Sequence, residues 1–269
     1  MAGVIKNFWE RLFSSGELEF PGFKGKPMNV PRGKFGKWMY VKFAKGIRKD
    51  YKSNEDAFRV LNVVSVNGNG EVMGLNPFAS CAISKYALRE VGLRNPTLSE
   101  IEREQEAYDN DSSMGLNLRG HYLVDIGLVL KRKEEPDSYI GAVLAEQVKK
   151  RFPNMKMPVM IPYDSLELRK DENSIFGLTF NLRRDAEKPM YAPELAHKNN
   201  GERFDRINEK SRPEFIEDGK RELVTLDSSL CRLVLSREGN LLANLHSPRS
   251  FVSSSKNGRV IVIENRRYT

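Results

Sequence analysis

Apolar positions change period several times along the chain, and each change predicts an element. Val4, Ile5, Phe8, Trp9, Leu12 and Phe13 recur at helical spacing and predict an amphipathic helix over residues 3–14. Gly16 ends it, and the proline- and glycine-rich stretch 20–36 reads as an extended arm. From Trp38 the pattern alternates. Met39, Val41 and Phe43 would share one strand face, and Trp38, Tyr40 and Lys42 the other. A hairpin follows, with AFRVLNVVSV (57–66) and EVMGL (71–75) joined by the turn NGNG (67–70).

Helices are predicted over 79–91 and from Thr97 to about Tyr108, the second opened by a Thr97/Glu100 capping box. The β-branched run 121–133 predicts a strand, and Pro136 or Asp137 opens a helix that reaches about Phe152. Strands are expected at 157–168 and 175–183, and three more within 221–264. Residues 184–220 hold 17 charged residues in 37 without a sustained period, and so read as a long surface connection. The expected fold class is α+β, an antiparallel β-rich core with several helices. Four segments follow: 1–53, an amphipathic helix plus basic arm; 54–183, an α+β core; 184–220, a charged connection; and 221–269, a C-terminal β section.

Charge sharpens the picture of the first segment. The chain carries a net +8, yet residues 22–53 hold ten of its 44 basic residues and one of its 36 acidic ones, Asp50. The rest is nearly neutral. Such a gathering of charge argues for a polyanionic partner, nucleic acid or an acidic membrane surface, and says nothing about fold. No run approaches the ~20 apolar residues of a membrane helix. Lys6, Glu10 and Arg11 interrupt any signal-peptide core, so secretion is not expected. Cys81 and Cys231 are too few for a disulfide framework, which favours an intracellular setting: host cytoplasm, peripheral membrane or nucleus.

Catalytic signals are sparse. His121, His197 and His246 are far apart, so no zinc site, cofactor or catalytic residue is predicted. Asp137, Glu167 and Arg169 imitate a metal-nuclease triplet loosely, with arginine in the lysine's place. The acidic run Glu100, Glu102, Glu104, Glu106, Asp109, Asp111 fits a solvated helix face, or a pairing with the basic arm of a neighbouring copy.

The basic segment itself reads as a nucleic-acid-binding device. Lys34, Lys37, Lys42, Lys45, Arg48 and Lys49 would neutralise phosphates, releasing counterions, while Trp38, Tyr40 and Phe43 would stack on unpaired bases. Stacking favours single strands. Two other readings stand beside it: the rings are ordinary packing partners with lysines keeping the edge soluble, or the anion is lipid. For the last, Phe8, Trp9, Leu12 and Phe13 would make the membrane or partner contact. Lys149, Lys150 and Arg151 form a secondary patch that also suits a helix C-terminus.

Over residues 121–183 the chain resembles the plant-virus movement-protein superfamily. The residues that carry the resemblance are LVDIGLVLKR (123–132), KEEPD, Gly141, KKRF (149–152), Pro162 and IFGLTFNLRR (175–184). It departs from the family in having Leu130 where an aspartate is usual, with Asp125 five residues earlier, and in lacking a Pro-Leu-rich strand in 185–200. The resemblance implies a non-enzymatic, β-rich, self-associating viral protein that binds single-stranded RNA, attaches to host membranes and moves genomes between cells. Size and basicity equally suit a viral matrix protein bridging nucleocapsid and membrane.

Overall fold

The computed structural model describes residues 28–29, 31–110, 122–186, 188–196, 202–224, 226–237, 244–246, 251–252 and 258–264. The helix expected over 3–14, with Phe8, Trp9, Leu12 and Phe13, lies outside them, as does most of the arm before Met28.

Strand β1 (Met28–Asn29) leads into helix α1 (Gly33–Tyr51). This corrects the strand expected from Trp38. Alternation holds only over 38–43, whereas Met39, Phe43, Ile47 and Tyr51 repeat every four residues and are all buried. The longer period buries more apolar surface, so it wins. Helix α2 (Glu55–Leu61) replaces the first half of the next expected strand; the Asn54 side chain caps it by accepting from the Ala57 amide at 2.9 Å. Only β2 (Ser65–Val66) and β3 (Val72–Met73) remain of the hairpin, paired across the 67–70 turn.

Helix α3 (Pro77–Ile83) continues through a π turn at Ser84–Leu88 and a 3-10 turn at Arg89–Val91, covering the helix expected over 79–91. After β4 (Leu93–Arg94), α4 (Leu98–Asn110) opens with the expected capping box, Glu100 accepting from the Thr97 amide at 2.8 Å. Then come β5 (Tyr122–Leu130) and α5 (Tyr139–Arg151), the latter capped by Ser138. The strands expected at 157–168 and 175–183 become β6 (Val159–Ile161), β7 (Leu166–Lys170) and β8 (Leu178–Leu182).

The reading of 184–220 as a surface connection is also corrected. It contributes β9 (Met190–Tyr191), β10 (Glu202–Ile207) and β11 (Pro213–Phe215). In β10 only Phe204 and Ile207 are buried among charged neighbours, so the apolar period is diluted below recognition. The chain closes with β12 (Arg221–Val224), β13 (Leu230–Arg237), β14 (Asn244–His246) and β15 (Val262–Glu264).

The fold is α+β; 35% of the described residues are helical and 29% lie in strands. Its frame is an eight-stranded sheet in the order β11-β10-β12-β14-β13-β5-β6-β9, antiparallel except at β12–β14. A bulge between Leu233 and Val234 shifts the β13–β5 register beside Gly127. A Cβ at Gly127 would lie 2.7 Å from the Ile161 carbonyl oxygen, so only glycine lets β6 approach here. Leu128 and Leu130 join the core shared with α1, α3 and α5, while Val124, Ile126 and Val129 join a second core with Ile101 of α4. Strand β5 is thus buried on both faces, which explains why it reads as a near-continuous apolar run.

Candidate nucleic-acid interface

Helix α1 sorts its side chains by chemistry. Trp38, Met39, Tyr40, Val41, Phe43, Ala44, Ile47 and Tyr51 are buried, whereas Lys34, Lys37, Lys45 and Lys49 are exposed. At 3.6 residues per turn these four lysines fall within an arc of about 120°, and at 1.5 Å per residue they span about 22 Å. That length matches the rise of about six nucleotides along one strand of a duplex.

The helix's one acid, Asp50, is engaged by two partners outside this stripe and also feels the charge of Lys49. Asp50 accepts from the Tyr86 hydroxyl at 2.6 Å and from the Lys85 ammonium at 3.0 Å. The Tyr86 hydrogen bond, with help from Lys85, holds the Asp50 carboxyl below its ordinary value. Burial and the Asp50 partnership push the Tyr86 phenol up. Gly46 makes this clamp possible: a Cβ there would sit 2.3 Å from the Tyr86 ring. Tyr86 lies in the π turn after α3, so an irregular turn and a glycine together hold α1 against α3.

The expected site residues divide. Lys42 is half-buried; its ammonium lies 3.3 Å from the Glu90 carboxylate and 5.9 Å from the centre of the Trp38 ring. Part of its charge is therefore met inside the protein. Arg48 is half-buried beside Tyr40, whose phenol burial pushes up to about 12. The stacking role expected of Trp38, Tyr40 and Phe43 is corrected: they are 1%, 8% and 1% exposed, and Trp38 stacks instead on Phe35 at 6.1 Å. A helix of this length against a core needs its large rings inside, and the sheet-like face that would have displayed them does not form.

Other expected charge clusters are consumed by the fold. Glu100 pairs with Arg94 at 2.6 Å, and Glu102, 6% exposed, pairs with Arg221 and accepts from the Ile207 amide. These two acids are therefore not a solvated face; the side chains of Glu106 and Asp109, and Asp111 altogether, lie outside the described residues. Asp137 accepts from the Ser229 amide at 2.7 Å and from Lys133 at 3.2 Å, while Arg169 turns to Asp171 at 3.0 Å. Among the described residues no group of three or more His, Cys, Asp or Glu side chains is arranged to hold a metal ion. Cys81 and Cys231 are buried thiols that form no disulfide with each other. Arg151 donates to the carbonyls of Arg183, Arg184 and Ala186, so it ties α5 to the exit of β8 while Lys149 and Lys150 stay exposed.

Sequence reading missed the clamp. Its signal is weak: a glycine at 46 inside a helical period, and a Lys-Tyr pair 39 residues later that no local pattern links to it. Among the described residues no helix is long and apolar enough to cross a membrane. Comparison with protein-family models, curated proteins and solved structures gives no match.

Proposed function

We propose that this chain is a non-enzymatic nucleic-acid-binding protein that grips the phosphate backbone with the exposed face of α1. The carrying observation is the 120° stripe of Lys34, Lys37, Lys45 and Lys49, with Asp50 engaged by Tyr86 and Lys85 outside it. Each lysine that meets a phosphate releases counterions, which gives affinity without sequence readout. The preference for single strands rested on ring stacking, and the burial of Trp38 and Phe43 removes that argument. The reading therefore commits to backbone contact alone.

The resemblance of residues 121–183 to viral movement proteins supports a role in carrying a viral RNA genome, together with self-association and attachment to host membranes. That stretch runs from β5 through α5 to β8.

The test is fluorescence anisotropy with a labelled RNA of 30 nucleotides, a duplex of equal length and anionic vesicles. The wild-type protein is compared with a variant carrying Lys→Glu at positions 34, 37, 45 and 49. Binding of both nucleic acids, lost by about a hundredfold or more in the variant, is the expected result. Vesicle binding alone, or undiminished RNA binding by the variant, contradicts the proposal.

A further inference from the structure

A cleft of about 310 Å³ opens between the end of β5 and one side of α5. Its basic lining is Lys131, Arg132 and Lys133 from the exit of β5, with Lys149 from the last turn of α5. Among the described residues no carboxylate lines it. Its apolar lining is Ala145 and Val148 of α5, together with Met155 and Met157 from the loop that follows. The volume lies at the lower end of pockets that hold small organic molecules.

The four charges differ in what holds them. Lys133 is met from outside the cleft by Asp137 at 3.2 Å and Asp227 at 3.3 Å. Lys131 is nearly buried, and its ammonium donates to the Leu226 carbonyl at 2.8 Å. Burial pushes Lys131 down from its ordinary value, and its charge is directed at the segment around Leu226 rather than at α5. Arg132 and Lys149 are exposed. Lys149 also complements the negative end of α5, a role it shares with Lys150, but only Lys149 of the two lines the cleft.

We infer that this cleft binds a phosphate monoester carried on an apolar body. The phosphate lies between Arg132 and Lys149, and the body lies on Ala145, Met155 and Met157. Guanidinium and ammonium groups suit a dianionic phosphate, and methionines adapt to a flat or a branched apolar body alike. A nucleotide and a phosphatidate headgroup share this chemistry. The site uses none of the α1 lysines, so it stands apart from the backbone grip proposed above.

Isothermal titration calorimetry on the full chain separates the sources. The ligands are adenosine monophosphate and dihexanoyl phosphatidic acid, with inorganic phosphate, adenosine and dihexanoylglycerol as controls. At least one ester should bind about tenfold more tightly than inorganic phosphate and than its phosphate-free counterpart. Which ester does so identifies the source. Lys149→Ala and Arg132→Ala, both at exposed positions, should each weaken that ester about tenfold, while Lys37→Ala on α1 leaves it unchanged. Neither ester exceeding its controls, or undiminished binding by both cleft variants, overturns the inference.

Discussion

Positive charge is used in two ways in this molecule. Arg232 and Arg221 sit inside, each 4% exposed at the side chain, facing Asp125 at 2% and Glu102 at 8%. Lys34, Lys37, Lys45 and Lys49 stand in water along α1. A buried charge carries a desolvation cost of several kcal/mol and must be matched in place, whereas an exposed lysine costs little and stabilises little. Arg232 accordingly meets both oxygens of Asp125 and the Leu75 carbonyl at 3.0 Å, joining β13, β5 and the segment before α3. The buried arginines hold the fold in one arrangement; the α1 lysines are exposed along the helix. Residue choice follows environment, since the planar guanidinium fills several acceptors at once and the ammonium acts as a point charge.

The sharpest way to break the contrast is Asp125→Ala. It strands Arg232 in the core, and chemical denaturation should show a loss of about 3–5 kcal/mol. Replacing both partners, Asp125→Leu with Arg232→Met, should cost much less than the two single changes together, because no charge is left buried. Gly46→Ala comes next. Its methyl group would collide with the Tyr86 ring, and overpacking of that kind costs about 1–3 kcal/mol. Truncating all four α1 lysines to alanine should change stability by less than about 1 kcal/mol, as expected for exposed charges.

A smaller effect sharpens the comparison at a half-exposed acid. Burial alone would raise the Asp137 carboxyl, but hydrogen bonds from Ser229 and Lys133 outweigh it and hold the group down at about 2. Its folded value is thus below the ordinary carboxylate value of about 4, so its contribution is present above about pH 4 and fades as the pH falls toward 2. The side chain is 40% exposed, and screening keeps the contribution under about 1 kcal/mol. Acid denaturation of Asp137→Asn should lack this component, while a profile identical to wild type would assign the Ser229 contacts no net effect.

How much of this could be read beforehand depends on how far each signal reaches along the chain. The α+β class, the capping box of α4, the strand β5 and the helix α5 follow from periods and caps within one segment. Local signals failed at α1, where six alternating residues outvoted a four-residue repeat running to Tyr51, and at β10, where Phe204 and Ile207 alone mark the inner face. The basic stripe was visible as composition, but which lysines face water was not. That depends on Glu90 taking Lys42 and on Tyr86 and Lys85 taking Asp50, all more than 30 residues away in sequence. The rings misled for the same reason, since interleaving with lysine looks alike on a strand face and on a half-buried helix.

The most direct test of the α1 grip is the salt dependence of RNA affinity, measured for the wild-type chain and for the variant with alanine at 34, 37, 45 and 49. Four phosphate contacts predict that the slope of log K against log salt becomes shallower by about 3 in the variant. Equal slopes for the two proteins would contradict the account.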